Sequence, residues 1–244
     1  MPMPAPALSV VLPIYNEEAV LEETLAQLVA VLGDLVPSYE VVCVDDGSRD
    51  RSVEILETFA AKNPNFRLFF LPRNRGKGAA VRKGMLEADG QTLIFMDADL
   101  STPLGEIARF LGALESGHQV VVGNRHAPGS KITRHQPWIR ETLGKGFTMI
   151  SRLFLAPGVH DFTCGFKAFQ RDAAREIFER STQDGWAFDA ELILIAHLKG
   201  FKMAQVPVEW RHEKGTKVRL LPAVFGSFKE LLAIKLHQLR GGYR

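Results

Sequence analysis

Residues 92–99 have the sequence T-L-I-F-M-D-A-D, an apolar run followed by two aspartates with one residue between them. A short apolar run of this kind predicts a buried strand. Side chains two positions apart in an extended chain point to the same side, so Asp97 and Asp99 can approach one cation. Mg²⁺ prefers such hard oxygen ligands, together with substrate phosphate oxygens. We therefore predict a metal site at Asp97 and Asp99; the alternative for this pattern is a turn or a helix cap.

Similar apolar runs recur along the first half of the chain, and helical stripes separate them. The predicted strands are residues 8–14, 41–44, 68–71, 92–96 and 120–122, and the predicted helices are 17–32, 51–62, a segment ending at 88 and a segment after 103. This alternation predicts βαβ units, and therefore an α/β fold with a mostly parallel sheet and helices on both faces. Right-handed crossovers place the carboxyl ends of the strands at one edge, where open α/β folds bind ligands.

Polar clusters follow four of the predicted strands, at 15–17, 45–46, 97–99 and 124–125. A scaffold built only for stability would not need that coincidence, so we predict a ligand site at this edge.

The pattern changes after residue 124. The sequence then predicts a polar loop at 126–137, helices at 139–154, 171–180, 188–198 and 221–239, a strand or turn at 160–169 and a strand at 201–210. We expect one domain over residues 1–220, with a C-terminal amphipathic helix in 221–244 that is part of the same domain or associates with a membrane.

The composition is that of a globular protein, since 46% of the 244 residues are apolar and 24% are charged. The two cysteines, Cys43 and Cys164, form no C-x-x-C motif, which argues against a zinc ribbon or a disulfide scaffold. No window offers about 18 apolar residues without a charge, so we predict no spanning helix and expect a cytoplasmic protein.

The small net charge hides an asymmetry between the two halves. Residues 1–123 carry a net charge of −7 and residues 124–244 a net charge of +9. This asymmetry predicts a cation as partner of the first half and an anion or anionic surface as partner of the second. The alternative is solvation of helix faces. No nucleic-acid partner is predicted.

Two common nucleotide-binding motifs are missing from the sequence. No G-x-G-x-x-G follows the first predicted strand, where P-I-Y-N-E stands at 13–17. The segment G-K-G at 76–78 lacks the spacing and the Ser or Thr of a P-loop. Hydride transfer and ATP hydrolysis are therefore poor hypotheses.

Five motifs occur in order along the first half: P-I-Y-N-E at 13–17, D-D-G-S at 45–48, N-R-G-K-G at 74–78, D-A-D at 97–99 and V-V-G-N-R at 121–125. Together they resemble the family 2 glycosyltransferases, which implies the GT-A fold, a Rossmann-like domain that binds nucleotide sugars. Two later motifs, D-F-T-C-G-F-K at 161–167 and W-A-F-D-A-E-L at 186–192, resemble the branch that glycosylates polyprenyl phosphates such as dolichyl phosphate. The second of these leans toward glucosyl transfer, so UDP-glucose is the first choice of donor and GDP-mannose the second.

The resemblance implies roles for the matching residues. The predicted nucleotide-sugar site consists of Pro13, Tyr15, Glu17, Asp45, Asp46, Lys77, Asp97, Ala98, Asp99, Arg125, Arg211 and Lys217. Within it, Tyr15 would lie near the base, and Asp45 would hold the base or the ribose. Ser101 stands where mannose synthases often carry a metal-binding Gln, so it joins the two aspartates in the predicted site for Mg²⁺ or Mn²⁺.

The predicted reaction follows from charge. A departing nucleoside diphosphate accumulates negative charge, which a divalent ion and nearby cations stabilise. The predicted supporting cations are Arg125 and three residues of a basic loop, Arg211, Lys214 and Lys217.

The acceptor decides whether a general base is needed. A phosphate monoester has a second pKa of about 6 and is mostly a dianion at neutral pH, so it needs positive surroundings rather than a base. Arg134 and Lys167 are the predicted contacts of the acceptor phosphate. We expect direct inversion at the anomeric carbon, with Asp161 or Asp189 orienting other groups, and we count Asp189 with Asp97, Asp99 and Arg125 as the catalytic set.

The helical stripes at 139–154 and 221–239 combine Phe, Leu and Ile with Arg and Lys, a composition found in interfacial helices. They predict peripheral membrane association; the alternative is that both helices only cover the sheet. Two other functions stay open. One is a sugar-1-phosphate nucleotidyltransferase, although an acidic Tyr15-Asn16-Glu17 stands where such enzymes would carry a Gly-rich basic loop. The other is a non-catalytic nucleotide-sugar-binding module.

Overall fold

The structure, a computed structural model, describes residues 5–134, 138–212 and 220–244, with the backbone alone for Trp138, Arg140 and residues 220–225. The strands are β1 (Leu8–Ile14), β2 (Tyr39–Asp45), β3 (Phe66–Phe70), β4 (Thr92–Met96), β5 (Val120–Asn124), β6 (Lys131–Arg134), β7 (Phe166–Gln170), β8 (Met203–Pro207) and β9 (Glu209–Arg211). The helices are α1 (Leu21–Leu35), α2 (Ser52–Ala60), α3 (Lys77–Glu87), α4 (Glu106–Glu115), α5 (Trp138–Phe154), α6 (Arg171–Arg180), α7 (Phe188–Leu198) and α8 (Leu220–Leu239).

Seven strands form the main sheet, in the order β3-β2-β1-β4-β7-β5-β8. Neighbouring strands are parallel except at β7, which runs antiparallel to both β4 and β5. The predicted mostly parallel sheet is confirmed. Because β7 runs in the opposite direction, its first residue, Phe166, pairs with Met96, the last residue of β4. The segment before β7 therefore reaches the edge where β4 and β5 end.

Helices cover both faces of this sheet, as predicted. Along β1, Val10 and Leu12 contribute to one core and Val11 to the other, the alternation expected of a strand buried on both sides. The core on one face includes residues of α1, α2 and α4. The core on the other face includes residues of α3, α5, α6, α7 and α8.

The secondary structure predicted for two segments in the second half was wrong. The predicted loop at 126–137 contains β6, and the predicted single strand at 201–210 is the pair β8 and β9, interrupted at Val208. The short strands β6 and β9 pair in parallel as a separate two-stranded sheet. Local sequence patterns could not show this, because the partners lie more than 70 residues apart in the chain. Within the predicted strand or turn at 160–169, the strand begins only at Phe166.

Helix α1 begins at Leu21, four residues later than predicted. The N–H groups of Asn16 and Glu17 donate instead to Ser48 Oγ and Ser52 Oγ, each at 2.8 Å, and Asn16 has a positive φ of 54°. These bonds tie the turn after β1 to the turn after β2, so the first two predicted motifs form one surface.

Helices α5 and α8 contact each other, and both contribute buried side chains to the core, including Phe147 of α5 and Leu231 and Ile234 of α8. Both helices therefore cover the sheet. Within the described ranges, no helix combines the length and the apolar character that crossing a bilayer requires.

Helix α3 lies close to the sheet because Gly84 faces Val11 of β1 and Val44 of β2. A Cβ at this position would overlap a methyl group of Val11, and its distance to Val44 Cγ2 would be 3.0 Å. This close approach helps to fix the position of α3, whose first residue, Lys77, lies near the edge at which the parallel strands end.

We predict that Gly84→Ala lowers the free energy of unfolding by about 1–3 kcal/mol, because overpacking forces α3 away from the sheet. Gly112→Ala is the matched control: Gly112 is in α4, and an added Cβ there would meet no atom within 4 Å. That change should stabilise the protein by about 0.5–1 kcal/mol, as alanine generally does relative to glycine in a helix. Urea unfolding of both variants measures the difference. Equal effects of the two changes would contradict the close packing of α3.

Candidate active site

The carboxyl ends of β1, β2, β4 and β5 lie on one edge of the sheet, and the segment before β7 joins them there. The residues that follow these strands include Tyr15, Asp46, Asp97 and Arg125. The polar clusters predicted at the strand ends thus belong to a single surface, which we call the carboxyl edge.

Asp97 directly follows β4 and forms an ion pair with Lys77, whose Nζ lies 2.5 Å from Asp97 Oδ1. Burial alone would lower the pKa of Lys77, but the negative charges of Asp97 and Asp189 outweigh it, so its pKa is raised. The ammonium group therefore stays charged at neutral pH. Lys77 also lies over the ring of Phe188, with 5.9 Å between Nζ and the ring centroid.

Asp99 is held by the turn that follows it. Its Oδ1 accepts a hydrogen bond from the backbone N–H of Ser101 at 2.9 Å, and the intervening Leu100 has a positive φ of 52°. Burial, and after it the negative charge of Asp97, raise the pKa of Asp99. A left-handed backbone at a leucine is strained, and such strain is concentrated at functional sites.

Ser101 is buried and its hydroxyl, like its N–H, is hydrogen-bonded to Asp99. Its carbonyl oxygen accepts the N–H of Arg211 at 2.9 Å, which brings the end of β9 beside the two aspartates. Ser101 thus supports Asp99, and its own predicted role as a metal ligand stays a prediction.

The donor set fits a divalent cation. Asp97 and Asp99 supply hard carboxylate oxygens, and their mutual repulsion would be relieved by a cation between them. Gly165 allows the backbone to approach Asp97 closely, since a Cβ there would overlap Asp97 Oδ2. In the described parts of the chain, no cluster of three or more His, Cys, Asp or Glu residues could hold an ion alone. The remaining ligands would come from phosphate oxygens and water, as they usually do for Mg²⁺.

Asp45 and Asp46 organise the turns near the predicted base site. Asp45 Oδ2 accepts the N–H groups of Gly47 and Ser48, each at 3.0 Å, and its buried Oδ1 has no hydrogen-bond partner among the described residues. Asp46 accepts the N–H groups of Arg75 and Gly76 at 2.7 and 2.8 Å. Asp46 therefore joins β2 to the N-R-G-K-G segment, and Asp45 keeps one acceptor oxygen unused.

Arg125 and Asp161 form a bidentate pair at the end of β5. The guanidinium donates to both carboxylate oxygens at 2.8 Å and to Thr163 Oγ1 at 2.7 Å, and it lies over the ring of Trp210. Burial would raise the pKa of Asp161, but the charge and hydrogen bonds of Arg125 hold it at about 2. The predicted contact of Arg125 with sugar or phosphate must therefore share the guanidinium with Asp161.

Lys167 and Asp189 form a second buried pair. The Lys167 ammonium donates to Asp189 and to the carbonyl oxygens of Phe162 and Cys164, and the side chain has no exposed surface. Burial raises the pKa of Asp189, against the opposing charges of Lys167 and Lys77. The prediction that Lys167 contacts the acceptor phosphate is wrong for this structure, because helices cover both faces of the sheet and the Lys167 ammonium is fully buried against Asp189 and two carbonyl oxygens. Asp189 is likewise placed to orient Lys167.

The other predicted residues are distributed along the same edge. Pro13 is half-buried beside Val44, Tyr15 is 37% exposed and Ala98 is buried between the two aspartates. Glu17 lies in the turn that opens α1, and Arg134 is exposed at the end of β6. Lys214 and Lys217 lie outside the described residues. The donor, metal and acceptor roles of all these residues stay predictions.

Sequence reasoning missed a backbone clamp on α3. The carbonyl oxygen of Asp184 accepts the N–H of Ala79 at 3.3 Å and lies where Gly76 leaves room, and the Asp184 carboxylate pairs with Arg75 and Arg82. The clamp thus holds the start of α3, where Lys77 begins the helix. The two glycines of N-R-G-K-G were the available signal, since glycine is needed where another backbone approaches closely.

This clamp is anchored by Glu191, which is fully buried in α7. Its carboxylate accepts the N–H groups of Thr182 and Gln183 at 2.9 and 2.8 Å and the hydroxyl of Tyr243 at 2.6 Å. The C-terminal residues after α8 are therefore connected to the carboxyl edge through α7.

The domain has an open, mostly parallel sheet, helices on both faces and paired carboxylates at its carboxyl edge. This combination defines a GT-A-like domain. The profile described as "Glycosyl transferase family 2" matches residues 9–178. The chain belongs to this family.

Curated relatives agree with that assignment. A dolichyl-phosphate beta-glucosyltransferase of Trichomonas vaginalis, ALG5C, is 36% identical over 86% of this chain and 65% of its own length. The dolichyl-phosphate beta-glucosyltransferase of Saccharomyces cerevisiae is 31% identical over 97% of this chain and 76% of its own length. The chain thus spans about two thirds to three quarters of the length of these relatives.

Solved structures show the same fold. Glucosyl-3-phosphoglycerate synthase from Mycobacterium tuberculosis, in complex with Mn²⁺, UDP and glucosyl-3-phosphoglycerate, superposes with a TM-score of 0.68. The sequences are 22% identical, and the match covers 94% of this chain and 80% of that chain.

We predict that Asp161→Asn lowers the free energy of unfolding by about 3–5 kcal/mol at pH 7, because it leaves the Arg125 charge buried without its partner. The pKa of Asp161 is about 2 in the folded protein and about 3.9 in an unfolded chain. The stability that this carboxylate contributes is therefore complete above about pH 4 and is lost as the pH falls toward 2. The deficit of the variant should shrink by about 1 kcal/mol at pH 3.

Chemical unfolding of both proteins at pH 7 and pH 3 measures this deficit. Asp34→Asn, a change of the same charge at an exposed position in α1, is the control and should shift stability by less than about 0.5 kcal/mol. An Asp161→Asn deficit that is the same at both pH values would show that the pair does not depress the pKa of Asp161.

Proposed function

We propose that this chain transfers glucose from UDP-glucose to dolichyl phosphate or a related polyprenyl phosphate, with a divalent metal ion and inversion at the anomeric carbon. The observation that carries the proposal is the placement of Asp97 and Asp99 at the end of β4, facing the charged Lys77. The names of the curated relatives support the acceptor and the glucosyl group. Complexes of the structural neighbour with Mn²⁺ and UDP support the choice of metal and nucleotide.

The donor is proposed to lie along the carboxyl edge from β2 to β4. Asp45, with an unused carboxylate oxygen, is placed to accept a hydrogen bond from the ribose or the base. Asp97 and Asp99 would hold Mg²⁺ or Mn²⁺ against the diphosphate, and the bound ion would stabilise the charge of the departing diphosphate as a Lewis acid. Lys77 supplies a fixed positive charge at the same place, oriented before the donor arrives.

No general base is needed in this reaction, because the phosphate monoester is mostly a dianion at neutral pH. Asp161 and Asp189 are buried carboxylates near the edge, and each is paired with a cation. We propose that they position Arg125 and Lys167 and remove no proton.

A membrane surface is the proposed location of the acceptor. Helix α5 exposes Met149 and Leu153, with 68% and 76% of their surface accessible, and α8 exposes Leu232 and Leu239 at 62% and 73%. Exposed apolar side chains on helices that also carry Lys and Arg suit the interface of a bilayer. The prediction of a cytoplasmic location stays a prediction.

The decisive assay combines the purified protein with a nucleotide sugar, a metal ion and dolichyl phosphate in detergent. With UDP-glucose and Mn²⁺ or Mg²⁺ we expect a β-linked glucolipid and one UDP released per transfer, and a much weaker reaction with GDP-mannose or after EDTA. Asp97→Asn should lower kcat by about 100-fold or more, since it removes a ligand that stabilises the leaving group. Asp34→Asn, which is remote from the edge, should leave kcat unchanged.

A parallel incubation with other substrates and a second outcome of this assay identify the alternatives. Formation of UDP-glucose and pyrophosphate from UTP and glucose 1-phosphate would indicate a nucleotidyltransferase. Binding of UDP-glucose without turnover on any polyprenyl phosphate would indicate a non-catalytic module, and either result would overturn the proposal.

A further inference from the structure

A cavity of about 630 Å³ lies between the carboxyl end of β5 and helix α5. Its floor is polar: the side chain of Asn124, the last residue of β5, donates to Gln205 Oε1 at 3.3 Å. Gln205 also accepts the N–H of His160 at 2.8 Å and donates to the carbonyl oxygen of Gly158 at 2.8 Å. The floor is therefore ordered by its own hydrogen bonds.

The side chains around this cavity carry positive charge. Lys145 and Arg152 of α5 line it together with His126 and His160, while no carboxylate lines the cavity among the described residues. Arg152 has no hydrogen bond or ion pair with any side chain that the structure describes. Lys145 pairs with Glu141 at 2.8 Å one turn earlier, and its ammonium has two further donors. This cavity suits an anion.

The position of the cavity relative to the proposed donor is set by the strand order. Along the edge, β2, β1 and β4 are followed by β7 and β5. A donor with its base at Asp45 and its diphosphate at Asp97 directs its sugar toward β7 and β5. Neighbouring strands are about 4.8 Å apart, so the end of β5 lies about 10 Å beyond the end of β4. The cavity thus lies on the side of the donor where the acceptor must approach.

An apolar strip leads away from the cavity. Met149 forms part of the cavity wall and is largely exposed, and Leu153 follows one helical turn later. Phe154 is 52% exposed, and its carbonyl oxygen accepts the Lys235 ammonium at 2.9 Å, which joins the strip to α8. On α8, Leu236 follows Lys235 directly and Leu232 lies one helical turn before Leu236, and both side chains are exposed. An anionic cavity ligand with a long apolar tail would match both features.

We propose that this cavity binds the phosphate group of a polyprenyl phosphate acceptor through Lys145 and Arg152, with the isoprenoid chain along the strip on α5 and α8. The proposal rests on the proposed function. In the transfer, a phosphate oxygen forms the bond to the anomeric carbon while the bond from that carbon to the diphosphate oxygen breaks. The electron pair leaves with the nucleoside diphosphate, and no proton moves because the monoester is a dianion. These two cations of α5 replace the buried Lys167 as contacts of the acceptor.

The test uses the double variant Lys145→Gln/Arg152→Gln and citronellyl phosphate, a phosphate monoester with a short isoprenoid chain. Both side chains are exposed, so we expect the variant to fold normally. The KM for citronellyl phosphate should rise about tenfold or more, because two charge-assisted hydrogen bonds are lost. The kcat at saturation and the thermal shift caused by UDP-glucose with Mn²⁺ should stay unchanged. Lys62→Gln, an exposed change after α2, should alter none of these values.

Calorimetric titration without donor shows whether the cavity prefers a lipid phosphate or free inorganic phosphate. Together with the kinetics, it also distinguishes a failure of the cavity site from a failure of the proposed function. Weakened binding of citronellyl phosphate in the double variant, with tighter binding of citronellyl phosphate than of inorganic phosphate in the parent, supports the proposed occupant. Equal binding of the two would overturn the role of the apolar strip. Transfer with an unchanged KM in the double variant would overturn the cavity site and leave the proposed function standing. The parent protein could also bind citronellyl phosphate but transfer no sugar to it, which would overturn the proposed function. If the double variant then lost this binding, the cavity site would still be supported.

Discussion

The contact between Lys77 and Asp97 fixes the geometry on which the rest of the carboxyl edge depends. Burial raises the pKa of Asp99, and the negative charge of Asp97, which repels it from two residues away, raises this pKa further. The ammonium of Lys77 offsets part of that repulsion in the free protein. A divalent cation and a diphosphate would complete the neutralisation. The site is thus arranged in advance for a ligand that brings both positive and negative charge.

Much of the second half of the chain serves to hold this contact in place. The backbone around Asp184 clamps the start of α3, Glu191 holds that backbone, and Tyr243 donates to Glu191. Strand β7 has a related role, because its reversed direction brings Gly165 against Asp97, and its Lys167 is buried beside Asp189. The D-F-T-C-G-F-K and W-A-F-D-A-E-L motifs therefore hold the residues of the carboxyl edge in position. The surface proposed for the acceptor lies next to them, at β5 and α5.

The fold and most positions at the edge could be predicted from the sequence because the decisive signals are local. Apolar runs followed by Asp45 and Asp97 mark both the strands and the edge at which they end. The strand direction of 166–170 could not be predicted, since nothing in F-K-A-F-Q distinguishes a parallel from an antiparallel strand. Lys167 was expected to reach the acceptor because of its charge in the basic second half of the chain. A lysine in a strand with apolar neighbours is exposed or buried according to its partners, and the partner Asp189 lies 22 residues away. The pairing of β6 with β9 likewise could not be predicted from local sequence patterns.

Binding of UDP to the parent protein and to the double variant Asp97→Asn/Asp99→Asn, with and without Mn²⁺, tests the metal site most directly. In the parent, Mn²⁺ should lower the Kd for UDP by about tenfold or more, and UDP should raise the affinity for Mn²⁺ by the same factor, as linkage requires. In the variant both effects should vanish, while binding of UDP without metal persists because the predicted base and ribose contacts are intact. A Mn²⁺ effect of the same size in the variant would contradict the assignment of the two aspartates as metal ligands.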